Sequence, residues 1–174
     1  MKKLGFLLLS VIVSLQSFAV DRFVDPGLAN GNGTTLFNTI ASAVAASVNG
    51  DRILIVAGNY NEPTLTLNKS LVVIPQVVGA TVTINFHVNI TGFADMKLSI
   101  LGINFNGYNI TATNDGGSQA NRSKVSIIDC KNIANLNVDK NNYELNVAKC
   151  TISGTTTMRY GNFVVSKTAN LNVN

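Results

Sequence analysis

Residues 50–74, GDRILIVAGNYNEPTLTLNKSLVVI, decide how the rest of this chain is read. They hold three short runs of β-branched and aliphatic residues, Ile53 to Val56, Thr64 to Leu67 and Leu71 to Ile74, separated by turn residues. Runs of this length and composition read as strands. If the stretch is one coil of a stacked β structure, its alternation should recur downstream. The apolar pairs Ile53/Ile55, Leu71/Val73, Leu98/Ile100, Val125/Ile127, Leu145/Val147 and Phe163/Val165 line up at spacings of 18, 27, 27, 20 and 18 residues. A second set follows within each coil: Leu65/Leu67, Val82/Ile84, Ile110/Ala112, Leu136/Val138, Thr156/Met158 and Leu171/Val173. Apolar-in, polar-out alternation at such periods is the signature of a solenoid. A β-sandwich would need tight hairpins, and the dipeptides that favour them are scarce between the paired runs.

Residues 1–19 read as an export signal: Lys2 and Lys3, an apolar run from Leu4 to Leu15, then Ser17-Phe18-Ala19 with small residues at a cleavage site after Ala19. The run is shorter than the ~20 residues that span a bilayer, so no membrane span is expected after its removal. Loss of Lys2 and Lys3 leaves eleven basic side chains against nine acidic ones, a formal charge of +2. That charge is small and dispersed, which argues against nucleic acid as a partner. The 155 residues left fit one domain, and the 24 Asn, 14 Gly and absence of Trp in the full sequence describe a turn-rich β chain. One helix is expected, from Leu36 to Val48, with Thr34 or Thr35 as N-cap and Asn49-Gly50 as its stop. Placed ahead of an all-β chain, it would cover the open end of the core.

The order FVDPG, NGNG, the segment TLFNTIASAVAASV and then the opening stretch resembles the N-terminal region of secreted right-handed parallel β-helix proteins of the pectin-lyase-like group. Asp51, Ile53, Val56, Gly58, Tyr60, Glu62, Lys69, Ser70 and Leu71 carry the resemblance, which covers about Phe23 to Gln76. It implies a capping helix leading into a parallel β-helix. It marks fold rather than activity, because the same opening precedes esterases, lyases and non-catalytic surface proteins.

Esterases of that group need paired aspartates, a Gln-rich segment and an Arg-Pro-Trp motif, none of which occurs here. Lyases need clustered carboxylates for Ca²⁺ and a basic residue to take a proton. The acids Asp95, Asp115, Asp129, Asp139 and Glu144 are spread singly. The repeat alignment puts Asp129, Lys149 and Lys167 in one column, the best catalytic candidates, and Lys124 and Glu144 in another. Cross-strand charge pairing that fixes register explains the same residues. His87 is the only histidine, with no aligned nucleophile or second ligand. Tyr60 and Glu62 read as structural, the ring covering the coil and the carboxylate capping backbone groups.

Cys130 and Cys150 fall one coil apart in one inward column. Export permits a disulfide, but parallel neighbours ~4.8 Å apart point the same way, which favours a buried thiol ladder. Polar rows, Thr64/Thr66, Thr81/Thr83, Thr111/Thr113, Asn135/Asn137, Thr155/Thr157 and Asn170/Asn172, are expected to form one outer face, on which Thr81, Thr83, Thr111, Thr113, Asn135, Asn137, Thr155 and Thr157 are the ligand-binding candidates. Leu54 and Val72 are apolar at outward positions, so either Phe23-Val24 or another chain should cover them.

The expected molecule is an all-β, right-handed parallel β-helix of about six coils over residues 50–174, preceded by the segment and capping helix of residues 20–49. The chain stops in a repeat-like strand, Leu171-Asn-Val-Asn, so a fragment or association through the open C-terminal end is expected. The expected function is a non-catalytic, adhesin-like scaffold of a bacterium, secreted, periplasmic or on the cell surface, contacting polysaccharide or cell-surface glycan and using no cofactor. The alternatives are a lyase- or esterase-related β-helix with absent or degenerate catalytic coils, with Ca²⁺ in the lyase case, and ice or surface binding through the Thr/Asn face.

Overall fold

A computed structural model describes residues 19–29, 31–158, 161–166 and 172–173. The chain begins with β1 (Asp21–Val24), β2 (Leu36–Phe37) and α1 (Ile40–Ala46). It then passes through β3 (Arg52–Ile55), β4 (Gly58–Tyr60) and β5 (Leu65–Leu67). A second pass follows in β6 (Val72–Pro75), β7 (Val82–Ile84) and β8 (Val88–Ile90). The third is β9 (Lys97–Leu101), β10 (Ile103–Asn104) and β11 (Ile110–Ala112). Later passes carry two named strands each: β12 (Ser123–Ile128) with β13 (Leu136–Val138), β14 (Tyr143–Ala148) with β15 (Thr155–Met158), and β16 (Gly161–Ser166) with β17 (Asn172–Val173).

All strand pairing between these elements is parallel. The first sheet runs β16-β14-β12-β9-β6-β3-β1-β2, the second β10-β7-β4 and the third β17-β15-β13-β11-β8-β5. A mostly-β chain that visits parallel sheets in rotation is consistent with a parallel β-helix. Inward columns supply the core. Leu98, Val125 and Leu145 form one and Val73, Ile100, Ile127 and Val147 another, each side chain almost fully buried.

Register differs from the sequence reading at two places, the first in the opening stretch and the second where Thr156 pairs with Val173 and not with the expected Leu171. Ile53 pairs with Val73, and Leu54 with Ile74, two residues on from the expected partners Leu71 and Val72. A two-residue slip keeps every apolar side chain inward, so alternation alone does not detect it.

The helix is shorter than expected. Leu36 and Phe37 pair in parallel with Phe23 and Val24, and this pairing takes them out of the helix. Thr39 is the N-cap, its side chain accepting from Ser42 N–H at 3.1 Å. The upstream loop is closed by Asn32, whose Oδ1 accepts from the N–H groups of Thr34, Thr35 and Leu36.

The opening stretch holds α1 against the sheets. Glu62 accepts from the N–H groups of Ile40 and Ala41 at 2.7 and 2.9 Å. Lys69 Nζ donates to the carbonyls of Val44, Ala45 and Ser47 at 2.8, 2.9 and 2.7 Å. Tyr60 is buried, and its hydroxyl donates to Val56 O at 2.8 Å.

Candidate functional site

The third sheet presents the most uniform outer surface. Its strands pair Leu65 with Val88, Val88 with Ile110 and Ile110 with Leu136, and Leu136 with Thr156. The outward residues one position on form the column Thr66–Asn89–Thr111–Asn137–Thr157. Continuing the register backwards gives Thr64–His87–Asn109–Asn135–Thr155, and forwards Asn68–Thr91–Thr113–Asp139. Asp139 is the one acid in these three columns; every other member is Thr, Asn or His. Columns two residues apart on strands ~4.8 Å apart make a near-flat lattice of hydroxyl and amide groups.

Part of this lattice bonds to itself. Thr157 Oγ1 donates to Asn137 Oδ1 at 2.9 Å, and Thr91 and Thr113 hydroxyls lie 2.9 Å apart. Asn135 Oδ1 accepts from Thr155 N–H at 2.9 Å, while its amide donates to Asn109 Oδ1 at 3.1 Å. At the lower end, Thr66 is exposed and Asn89 and Thr111 are half-buried. Beside them, exposed His87 accepts from Asn109 N–H through Nδ1 at 3.1 Å, which leaves Nε2 to carry the proton. Its ring meets Tyr108 edge-on at 5.1 Å.

Of the expected ligand-binding residues, Thr111, Thr113, Asn135, Asn137, Thr155 and Thr157 come together on this face. Thr83 does not: it lies in β7 and pairs with Asn59 and Asn104 in the second sheet, with Thr81 just ahead of that strand. Val82/Ile84 and Val88/Ile90 alternate alike, and the shape of the pass, not the pattern, decides which pair joins the third sheet. Asn89 takes the place expected of Thr83. Residues 167–170, including Lys167, lie outside the described residues, as do Leu171 and Asn174.

Asp129 and Lys149 stack in one column, as neighbours of the paired Ile128 and Ala148. Both have positive φ, 54° and 56°, and Gly102 occupies the same position one pass earlier with φ 66°. The column is therefore a left-handed turn that starts the chain towards the second sheet. Lys124 and Glu144, directly paired on exposed strand positions, make a 3.6 Å ion pair, of the kind that contributes well under 1 kcal/mol. Among the described residues, no group of three or more His, Cys, Asp or Glu could hold a metal ion. No described helix is long and apolar enough to cross a membrane.

Cys130 and Cys150 are both free and fully buried. A hydrogen bond to Cys150 and burial together push the Cys130 thiol well above the ordinary thiol value.

Two features escape a sequence reading. Side-chain amides make a ladder across turns, Asn106 donating to Asn85 at 2.8 Å and Asn85 to Asn61 at 2.7 Å; the recurrence of Asn at one turn position was its only trace. The second is a groove of about 230 Å³ on the outside of the first sheet. Ile74, Leu101 and Ile128 line it, and the loop carrying Val78, which is 96% exposed, forms a wall. Leu54 and Ile74 continue this apolar column, and Phe23 stands beside Leu54 in the sheet instead of covering it.

Comparison of the chain with protein-family models, curated proteins and solved structures gives no match.

Proposed function

We propose that the chain is an exported, right-handed parallel β-helix of about six coils that contacts polysaccharide or cell-surface glycan through its third sheet without turning it over. The right hand follows from the strong preference of parallel crossovers for it. Export follows from the basic, apolar and small-residue order of residues 1–19, and the resemblance of residues 23–76 to pectin-lyase-like openings fits both.

One observation carries the binding proposal: three adjacent outward columns built almost wholly of Thr and Asn, with His87 in one of them and Tyr108 against its ring. Hydroxyl and amide groups exchange hydrogen bonds with water for hydrogen bonds with a polyhydroxylated chain at little desolvation cost. An aromatic edge adds an apolar surface for a sugar face. The strongest catalytic candidates, Asp129 and Lys149, already have a backbone reason to stand in one column.

The test pairs a glycan array with incubation on pectate, alginate and chondroitin, with and without Ca²⁺. Binding without unsaturated product is expected, weakened at least tenfold when Thr66, Asn89 and Thr111 are all changed to Ala. Ca²⁺-dependent product that disappears in Lys149→Ala would replace this reading with a lyase, and binding indifferent to the triple change would remove the face from it.

A further inference from the structure

Asp51 is fully buried, and its carboxylate collects donors from three parts of the chain. Oδ2 accepts from Arg22 Nε at 2.7 Å and from Val48 N–H at 3.0 Å. Oδ1 accepts from Val20 N–H at 2.9 Å. Burial opposes the charge on Asp51, but the Val48 and Val20 N–H groups and Arg22 outweigh it and hold the carboxyl below its ordinary value. The Val20 carbonyl is also engaged, accepting from Arg52 N–H at 3.0 Å. The backbone of Val20 is thus fixed on both sides, whereas Ala19 and the Val20 side chain are exposed.

Val20 is the residue that follows the small-residue cleavage site Ser17-Phe18-Ala19. Its nitrogen, an amide in the precursor, becomes an α-ammonium once the Ala19–Val20 bond is cut. We propose that Asp51 is the receptor for this new N-terminus. Water hydrolyses the Ala19–Val20 peptide bond; Ala19 leaves as the carboxylate of the signal, and the Val20 nitrogen takes up the protons that make it a cation. The hydrogen bond from the amide to the ionised carboxylate becomes an ammonium–carboxylate pair from the same atom position, charged on both sides. The ion pair, which only the processed chain has, is added to the parallel pairing of β1 with β3.

The charges around the site allow it. Arg22 is the other cation on Asp51, and its guanidinium is shared with Thr34 O. Asp21 and Arg52 neutralise each other on the exposed side, at 2.6 and 2.7 Å. The inference rests on the export reading of residues 1–19 given above.

The experiment has two arms. N-terminal sequencing of the exported protein should find Val20 first; a different first residue overturns the processing site and, with it, the receptor. The second arm compares chains that begin at Val20 and at Ala19, each with Asp51 and with Asp51→Asn. The Val20 chain should melt several degrees above the Ala19 chain, and the difference should vanish in Asp51→Asn. Equal melting, or a difference that survives Asp51→Asn, overturns the receptor while leaving export standing. Should Asp51→Asn not fold, acylation of the α-amino group of the native Val20 chain decides: a rate at least tenfold below that of the unfolded chain supports the pairing, and equal rates overturn it.

Discussion

Glu62 and Lys69 hold opposite ends of the same helix, the acid on the N–H groups of Ile40 and Ala41 and the base on the carbonyls of Val44, Ala45 and Ser47. Each charge is opposite in sign to the helix end it meets. Seven-residue α1 is too short to persist alone, so the two connections that flank β5 supply what the helix lacks. Glu62→Ala is expected to cost about 1–2 kcal/mol, in the range of a lost cap. Lys69→Met should cost a similar amount, and the double change less than their sum if α1 detaches as a unit. Urea denaturation of the four proteins measures this.

Acid should act through Asp51. Its folded value is depressed, so the stabilisation it gives is complete above the unfolded value near 3.8 and is lost as pH falls through the lower folded one. Unfolding at low pH should therefore steepen below about pH 4, and Asp51→Asn should be less stable at neutral pH but flatter across that window. Thermal melts from pH 2 to 7 test it. At the alkaline end, burial raises the Tyr60 and Tyr143 hydroxyls, so stability should fall once pH passes the unfolded tyrosine value of about 10.

Thr156 sits inward, opposite Leu136, and its hydroxyl is buried without a partner among the described residues. Thr156→Val keeps the shape and removes the unpaired hydroxyl. It should raise stability by about 1 kcal/mol, read as a shift in denaturation midpoint; a loss would show that the hydroxyl is satisfied in solution.

Lys149 distinguishes a turn from a catalytic base. At φ 56° a lysine is strained where glycine is not. Lys149→Gly should be neutral or stabilising by up to about 1 kcal/mol, and Lys149→Val should destabilise by roughly 1–2 kcal/mol. Unfolding curves separate the two.

The buried thiols should resist alkylation in the native protein and react only on unfolding. Mass spectrometry after iodoacetamide, with and without denaturant, reads this directly.

Alternation revealed most of the architecture because inward residues at Leu98, Val125 and Leu145 are apolar in every pass. It could not choose between Leu71 and Val73 as the partner of Ile53, since both point inward. It also could not assign Val82/Ile84 to the second sheet, because strand pattern reports burial and not which sheet a strand joins. The helix was read too long because Leu36 and Phe37 satisfy helical spacing, while their backbone pairing with Phe23 and Val24 is a non-local fact. Asp129 and Lys149 looked chemical in the sequence because charge is visible there and φ is not. The Thr/Asn face was partly legible from its composition, but His87 and Asn89 entered it only through register.

The passes differ in length while the columns do not. Ile53, Val73, Ile100, Ile127 and Val147 stack in one line although 20, 27, 27 and 20 residues separate them. The additional residues of the longer passes are taken up in connections, such as the one bearing Val77 and Val78. Lateral growth is thus uncoupled from axial pitch: a lineage could lengthen, shorten or exchange such a connection and remodel the exterior while each sheet kept its spacing.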